Sequence, residues 1–296
     1  MDGLVSSLLL LLLLLLFGGV TSIWPYQSLK FWSKILRLIS RLSNQSPNNT
    51  ALGSDGFPEQ LRRELMPRHV AVILDGNRRW AKEKGLTFIE GYRAGFVAFR
   101  VFVGICVQWD IPIVSLFLFS SENWRRPQIS LRTYLHASRS NRETNSEIPE
   151  LGVRVSVIGD TCSLPISLQE LIKETEKETE KGTKCHLILA MSYGGQNDIV
   201  QACQGIATKV KHGFLEPEDI TRPLVEQELQ TRVTNVPSPD LLIRTSGELR
   251  ISNYYLWQSA YTEMYFTTTY WPDFDRGEFI EALLSFQQRG RHFGRN

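Results

Sequence analysis

The sequence predicts an α/β protein: a single doubly wound domain with a mostly parallel central sheet flanked by helices, preceded by an N-terminal hydrophobic anchor. Two observations support this fold class. From Leu61 onward, short apolar runs alternate with longer segments of helical periodicity, which is the pattern of βαβ units. The short runs are almost continuously apolar, as expected for strands that are covered by helices on both faces.

The anchor is predicted within residues 1–43. No charged residue occurs between Gly3 and Leu29, and leucine fills every position of 8–16, so the apolar stretch approaches the roughly 20 residues that span a bilayer. Basic residues then recur every three or four positions from Lys30 to Arg41, beside an apolar face. This pattern is typical of an amphipathic helix on an anionic membrane surface. Positive charge directly after a span places the remainder of the chain in the cytosol.

A cleaved signal peptide and an organelle transit peptide are the alternatives to an anchor. Signal peptides carry a basic segment before the apolar run, whereas this chain begins with Asp2 and has no Lys or Arg before Lys30. Transit peptides are rich in Arg and Ser rather than in Leu. Residues 44–60 are polar with Pro and Gly and are predicted to be a linker, which leaves 61–296 as the folded domain.

The elements of that domain follow from the two periodicities. Strands are predicted at 69–74, 113–119, 153–158, 186–191, 241–244 and 265–266. Helices are predicted at 88–107, 168–181, 196–212, 223–231 and 275–288. The alternation of the two kinds of element favours parallel strands joined by helical crossovers.

The composition excludes several classes of protein. Apolar residues make up 42% of the chain and charged residues 22%, so a full core can form and global disorder is ruled out. The formal net charge is +2, which gives no broad basic footprint for nucleic acid. The four cysteines are far apart, without CxxC or histidine partners at zinc-ligand spacing, so neither a disulfide framework nor a structural zinc site is expected.

Three polar segments follow three of the predicted strands. Residues 75–79 (DGNRR) follow the first strand, 120–124 (SSENW) the second and 244–248 (RTSGE) the fifth. Each segment alone could be an ordinary turn or helix start. Ligands of open parallel sheets bind beyond the carboxyl ends of the strands, so we expect the three segments to line one crevice.

The side chains of these segments suit a diphosphate. Guanidinium groups bind phosphate oxygens in a bidentate manner, and the candidate groups belong to Arg78, Arg79, Arg126, Arg244 and Arg250. Asp75 and Glu263 are hard oxygen ligands of the kind that Mg²⁺ prefers. The chain has neither GxxxxGK[ST] nor GxGxxG after a strand, and no Ser–His–Asp or Cys–His arrangement. Diphosphate chemistry without a nucleotide fingerprint is therefore predicted.

Four sequence blocks resemble the cis-prenyltransferase family, which includes undecaprenyl and dehydrodolichyl diphosphate synthases. They are PRHVAVILDGNRRWAKEKG at 67–85, FSSENWRRP at 119–127, PDLLIRTSGELRISNYYLWQSAYTEMYF at 239–266 and WPDFD at 271–275. The resemblance covers about 61–294 and is greatest to plant dehydrodolichyl diphosphate synthases. It implies a Mg²⁺-dependent enzyme that condenses isopentenyl diphosphate with an allylic diphosphate, such as farnesyl diphosphate, into a Z-polyprenyl diphosphate of the dolichol-precursor type.

The same resemblance implies roles for individual residues. Asp75, Ser120 and Asn123 would take part in catalysis, and Asp75 and Glu263 would bind the metal. The substrate-binding residues would be Gly76, Asn77, Arg78, Arg79, Trp80, Trp124, Arg126, Arg244, Arg250 and Ser252. Within that set, the residues after Asp75 would hold the allylic diphosphate, whereas Arg244, Arg250 and Ser252 would hold isopentenyl diphosphate. Ser120, Asn123, Trp124 and Arg126 would belong to a mobile segment that closes over the reacting ends.

The resemblance also bears on location and assembly. It implies a catalytic domain on the cytosolic side of the endoplasmic reticulum membrane, with the plastid as the alternative. The C-terminal residues 289–294 (RGRHFG) favour a homodimer and leave an accessory subunit possible. A noncatalytic partner or scaffold subunit is the alternative function. Such subunits typically lose the first aspartate and many of the arginines, which this chain keeps.

The chain departs from the family pattern at three places. Tyr92 replaces a histidine of the family, and Phe88 replaces an arginine of bacterial members. Residues 128–147 lack the expected amphipathic helix pattern, although the length of the stretch is preserved. Either this stretch has diverged and alters the product tunnel, or a compensated reading-frame error in the gene model has garbled it.

Overall fold

A computed structural model describes residues 56–125 and 152–290 of the chain. The predicted anchor at 1–43, most of the predicted linker and the unusual stretch at 128–147 lie outside these ranges. Within them, no helix combines the length and the apolar character that crossing a bilayer requires. Phe57 belongs to the predicted linker, yet it is buried and packs edge-on against Trp109. The packed domain therefore begins before residue 61.

The described residues form one sheet of six parallel strands. The strands are β1 (His69–Ile73), β2 (Ile113–Ser120), β3 (Val153–Ile158), β4 (Cys185–Tyr193), β5 (Leu241–Arg244) and β6 (Glu263–Phe266). Their order across the sheet is β3-β4-β2-β1-β5-β6, and every pairing is parallel. The predicted α/β domain with a parallel sheet is confirmed.

The strand order changes direction at β1. From β1 the chain continues to β2 on one side, and it later returns as β5 on the other side. A crevice opens beyond the carboxyl ends of the strands at such a point, because the connections leave in opposite directions. The first and fifth strands, which carry two of the three polar segments, are therefore direct neighbours.

Six α-helices accompany these strands in the described ranges. They are α1 (Asn77–Glu83), α2 (Phe88–Gln108), α3 (Ile166–Glu178), α4 (Gly195–Lys211), α5 (Arg222–Glu228) and α6 (Arg276–Gln287). The helix predicted at 223–231 ends at Glu228, because the backbone at Leu229 is extended and a 3-10 turn follows. Helix α1 was not among the helices predicted from periodicity, since its start at Asp-Gly-Asn is typical of a turn and it spans only about two turns.

Both faces of the sheet are buried. Val70 and Val72 of β1 join a large core with α2 and α6, whereas Ala71 and Ile73 join a smaller core with Tyr254 and Tyr255. Successive side chains of a strand point to opposite faces, so a strand that is covered on both sides is apolar at most of its positions. This explains why the strands read as nearly continuous apolar runs.

Two glycines of α2 allow it to pack closely on α1. A Cβ atom at Gly91 would collide with the backbone oxygen of Asn77, and one at Gly95 would collide with Asn77 Oδ1. The Trp271 indole N–H donates to the Gly95 carbonyl at 2.7 Å and ties the segment after β6 to the same point. These contacts fix α1 beside the carboxyl end of β1.

A buried histidine lies at the opposite, amino end of β1. The Nδ1 atom of His69 is 2.7 Å from the Pro237 carbonyl, and Nε2 is 2.7 Å from Ser115 Oγ. Because a carbonyl can only accept, Nδ1 carries the proton and Nε2 accepts from the serine hydroxyl. Burial lowers the pKa of His69 to about 4, so the folded protein holds this ring neutral.

We expect His69→Gln to reduce the pH dependence of stability. The unfolded chain binds a proton at His69 below its ordinary pKa of 6.5, whereas the folded chain does so only near pH 4. The stabilisation is therefore complete above pH 6.5 and is lost as the pH falls from 6.5 towards 4, by about 2 kcal/mol at pH 5. Chemical denaturation of both proteins at pH 7.5 and pH 5 measures the difference. An equal decrease in the parent and the variant would contradict the expectation.

Candidate active site

The candidate site begins where β1 and β5 end side by side. Asp75 follows β1 by two residues, and Arg244 is the last residue of β5, in register with Ile73. Arg244 Nη2 donates to Asp75 Oδ2 at 2.9 Å. The pairing of the two strands thus brings together the carboxylate and the guanidinium of two predicted polar segments.

Arg244 is almost fully buried, with 4% of its side chain exposed. Its Nη1 donates to Ser252 Oγ at 2.6 Å and to the backbone carbonyl of Arg250. The guanidinium therefore joins the end of β1 to the loop after β5. Because each contact uses a separate direction of the planar group, Arg244 fixes the positions of Asp75 and Ser252 relative to each other.

Arg79 of α1 approaches Asp75 from the other side. Its Nη2 lies 3.3 Å from Asp75 Oδ2 and 2.6 Å from Ser246 Oγ, and its Nη1 donates to Glu248 Oε1 at 3.0 Å. Glu248 also pairs with Arg250. Three guanidinium groups thus surround two carboxylates, and the excess positive charge suits an anionic ligand.

The surroundings of Asp75 keep it ionised. Burial alone would raise the pKa of Asp75, but the hydrogen bond and charge of Arg244, the charge of Arg79 and a hydrogen bond from Ser246 hold it below its ordinary value. Both arginine contacts are to Oδ2. Among the described residues, no three potential ligands from His, Cys, Asp or Glu cluster together. The single ionised carboxylate of Asp75 is still compatible with Mg²⁺, because proteins often hold this ion with one carboxylate together with substrate phosphates and water.

The turn after Asp75 depends on Gly76. Its φ is +107°, and a Cβ there would lie 2.5 Å from Tyr270 Cδ1. Asn77 follows at the start of α1 and is buried, with Nδ2 donating weakly to the Leu74 carbonyl at 3.4 Å. Asn77 Oδ1 and Trp80 Nε1 are buried without a hydrogen-bond partner in the described structure. Asn77 therefore supports the turn from inside.

The remaining members of the predicted set on α1 differ in exposure. Arg78 is exposed, whereas Trp80 is half-buried. The Trp80 ring lies under the Lys84 ammonium group, which is 4.7 Å from the ring centroid. Arg79, by contrast, contacts the Asp75–Arg244 pair through Asp75.

The polar segment that follows β2 forms a 3-10 turn, Ser121–Arg125, directly after the strand. The Trp124 indole N–H donates to Ser192 Oγ at 2.8 Å, and its ring packs edge-on against Phe119. Ser120 hydrogen-bonds to Glu122, and Asn123 is half-buried within the turn. Arg126 lies outside the described residues. The segment meets the loop after β5 through a contact from Glu122 to Asn253.

The strand register separates Glu263 from Asp75 within this chain. It is the first residue of β6 and pairs in register with Leu241, the first residue of β5, whereas Asp75 lies beyond the last residues of the neighbouring strands. The two carboxylates are therefore at opposite ends of a parallel sheet. Glu263 instead forms an ion pair with Arg289 at 2.6 Å. We placed it near Asp75 from the resemblance, and the strand register separates them.

Three residues of the 244–248 segment have contacts that we did not predict. Thr245 is fully buried; its Oγ1 accepts from the Asp75 N–H at 3.0 Å and donates to the Asp75 carbonyl at 2.7 Å. Ser246 and Glu248 both bind Arg79. Their position directly after β5 was the available signal, but serine, threonine and glutamate are also common in turns.

We expect Thr245→Val to lower kcat by roughly tenfold or more with little change in KM. Valine has nearly the same shape but cannot hydrogen-bond, so the backbone of Asp75 loses both contacts and its carboxylate is no longer held accurately. Thr245→Ser keeps the hydroxyl and should retain most of the activity. Steady-state kinetics of both variants with thermal unfolding as a control tests this. A parental kcat in the valine variant, or equal losses in both, would show that Thr245 does not position Asp75.

The chain matches a model of a protein family described as putative undecaprenyl diphosphate synthase, over residues 73–294. Among curated proteins, it is 52% identical to cis-prenyltransferase 4, chloroplastic, of Solanum lycopersicum over 242 residues, which cover 81% of this chain and 78% of that protein. It is 50% identical to dehydrodolichyl diphosphate synthase 2 of Arabidopsis thaliana, covering 80% of this chain and 77% of that protein.

A solved structure shows the same fold. The crystal structure of lavandulyl diphosphate synthase from Lavandula x intermedia, in complex with dimethylallyl diphosphate, superposes with a TM-score of 0.71. The two chains are 38% identical, and the match covers 78% of this chain and 99% of that one. The likeness thus extends from the sequence motifs to the arrangement of the whole described domain.

Proposed function

We propose a reaction for this chain, which belongs to the undecaprenyl diphosphate synthase or cis-prenyltransferase family and is a prenyltransferase. In the proposed reaction, it joins isopentenyl diphosphate to an allylic diphosphate with Mg²⁺. Its product would be a Z-polyprenyl diphosphate of the dolichol-precursor type. The observation that carries this proposal is the chain of charged groups that runs from Arg244 through Asp75 and Arg79 to Glu248 and Arg250. Such a cluster suits a site for diphosphate groups.

The proposed reaction needs positive charge at a leaving group. The bond between C1 and oxygen of the allylic diphosphate breaks, C1 bonds to C4 of isopentenyl diphosphate, and a proton leaves C2 of the isopentenyl unit. Negative charge therefore accumulates on the departing diphosphate. Arg79 and Arg244 would stabilise it, since preorganised cations give most stabilisation where charge develops. Bound Mg²⁺, with Asp75 as its protein ligand, would add a Lewis acid at the same oxygens.

The second diphosphate would bind on the β5 side of the crevice. Ser252 and Arg250 lie in the loop that Arg244 holds, and Arg250 is largely exposed, with 61% of its side chain accessible. We assign isopentenyl diphosphate to this loop. The allylic diphosphate would then lie towards α1, next to Arg79, with Gly76, Asn77, Arg78 and Trp80 shaping that end of the site.

The Ser121–Arg125 turn would complete the site from the side of β2. Asn123 would orient the isopentenyl unit or assist the removal of its C2 proton, which the departing diphosphate can accept, with Ser120 beside it. Trp124 and Arg126 would cover the reacting ends, which excludes water and favours transfer over hydrolysis. The alternative of a noncatalytic scaffold subunit is disfavoured, because the aspartate and arginines that such subunits typically lose are present and interact with one another.

Location and assembly are part of the same proposal. The tomato relative is named chloroplastic, which favours the plastid for this chain over the endoplasmic reticulum membrane that we expected first. We retain membrane association through the N-terminal segment and a homodimer as expectations, with an accessory subunit possible.

Incubating the purified full chain with radiolabelled isopentenyl diphosphate, Mg²⁺ and allylic primers of different lengths tests the proposal. We expect a ladder of labelled products that disappears when EDTA removes the metal, and chromatography would size it. No incorporation by a folded protein with any primer would contradict a self-sufficient polyprenyl diphosphate synthase. A single short product would support the activity but overturn its dolichol-precursor type.

A further inference from the structure

Asn253 connects three segments that follow different strands. Its side-chain Nδ2 donates to Glu122 Oε1 at 2.6 Å, in the turn after β2. Its Oδ1 accepts from the Gln196 N–H at 2.9 Å, and its carbonyl accepts from the Gly195 N–H at 2.7 Å, both at the start of α4 after β4. One residue of the loop after β5 therefore contacts the ends of two other strands.

The backbone around Asn253 is held in an uncommon conformation. Ser252 and Asn253 have φ values of 49° and 61°, in the left-handed region that costs energy for residues other than glycine and that asparagine tolerates better than most. A Cβ at Gly194 would lie 2.5 Å from Ser121 Oγ and 2.8 Å from Asn253 Nδ2. The three segments thus approach one another as closely as a glycine permits, and the Asn253 contacts stabilise the loop.

Both ends of the Glu122–Asn253 contact adjoin candidate site residues. Ser252, directly before Asn253, binds Arg244 at 2.6 Å, and Asn123 and Trp124 directly follow Glu122. Burial would raise the pKa of Glu122, but hydrogen bonds from its own backbone N–H, from Asn253 and from two serines lower it. The carboxylate is therefore ionised at neutral pH and accepts a charge-assisted hydrogen bond.

We propose that Glu122 and Asn253 are positioning residues whose hydrogen bond holds the Ser121–Arg125 turn against the loop that carries Arg250 and Ser252. This inference rests on the proposed function in assigning that loop to isopentenyl diphosphate. Because the contact lies on the β5 side of the crevice and not on α1, its loss should weaken binding of isopentenyl diphosphate and leave the allylic primer almost unaffected.

Asn253→Asp tests the contact with almost no change of shape. The variant keeps an oxygen for Gln196 N–H, but it turns a carboxylate towards the Glu122 carboxylate. We expect KM for isopentenyl diphosphate to rise about tenfold, with KM for the primer within about twofold of the parent. Adding Glu122→Gln supplies an amide donor to the new carboxylate and reverses the polarity of the hydrogen bond. In the double variant, KM for isopentenyl diphosphate should return to within about threefold of its value in Glu122→Gln alone.

Asn235→Asp is the matched control. Asn235 is exposed and also has a left-handed backbone, with φ of 46°, so the same chemical change occurs there away from the site. It should leave both KM values at the parental level. If Asn253→Asp behaves like this control, or if the double variant is as impaired as Asn253→Asp, the positioning role is wrong.

Hydrogen exchange followed by mass spectrometry tests the same contact without turnover. We expect faster amide exchange in peptides that cover 121–125 and 195–196 in Asn253→Asp, and parental exchange in the double variant. If the proposed function is wrong but the contact is as described, the parent will be inactive. Its amide exchange will nevertheless become faster in Asn253→Asp. Unchanged exchange in Asn253→Asp would overturn the inference whatever the activity of the parent.

Discussion

Asp75→Asn is expected to lower kcat by roughly a thousandfold while the protein stays folded. Asparagine keeps an oxygen that can accept from Arg244, which donates to Oδ2 at 2.9 Å in the parent, so the local structure should survive. The substitution removes the charge that would hold Mg²⁺ at the leaving group. A thousandfold corresponds to about 4 kcal/mol of transition-state stabilisation, within reach of a preorganised metal and its ligand.

The measurement is steady-state turnover at several Mg²⁺ concentrations, with circular dichroism as the check on folding. Asp110→Asn is a suitable control, because the Asp110 side chain is 86% exposed and pairs only loosely with Arg63, at 3.7 Å. It should behave as the parent. If Asp75→Asn retained kcat within tenfold of the parent with the same Mg²⁺ dependence, Asp75 would not be the metal-binding carboxylate.

Arg244→Lys is expected to lower kcat/KM by about a hundredfold or more. A single ammonium group cannot contact Asp75, Ser252 and the Arg250 carbonyl together, as the buried guanidinium does. The loop that carries Ser252 should shift, and Asp75 should lose its nearest cation. The melting temperature should also fall by several degrees, since a buried polar network is left partly unsatisfied.

Comparison with Arg222→Lys separates this effect from a general cost of replacing arginine. Arg222 is exposed on α5, and its replacement should change neither kcat/KM nor the melting temperature. Kinetics and thermal unfolding of the two variants provide the test. Equal kinetics in Arg244→Lys and the parent would mean that the guanidinium fork has no role in binding diphosphate.

The strands could be predicted because their burial leaves a direct mark on the sequence. The central strands are covered on both faces, so the run at 113–119 is apolar except for Ser115, and the run at 241–244 is apolar up to Arg244. The pairing of the strands is different, because nothing in the sequence states that β5 lies beside β1. The two strands are far apart along the chain, yet Ile73 of β1 is in register with Arg244 of β5. That pairing creates the Asp75–Arg244 contact. The resemblance to the family supplied both residues, and the sheet explains why they meet.

The separation of Glu263 from Asp75 and the omissions at the site have the same origin. Glu263 has the right chemistry for a metal ligand, but it lies at the amino end of β6, whereas Asp75 follows the carboxyl end of β1. Thr245 and Asn253 act through backbone groups of distant segments. Residues of these types occur in many turns for local reasons, so their roles depend on contacts that only the fold creates.

The most direct test of the account is the double-bond geometry of the product that the parent makes from isopentenyl diphosphate and an allylic primer. Nuclear magnetic resonance of that product, isolated from the parent and sought in parallel from Asp75→Asn, gives the answer. We predict a Z double bond in each newly added unit and almost no product from the variant. An E double bond, or equal product from both proteins, would contradict the assignment of this chemistry to the Asp75–Arg244 site.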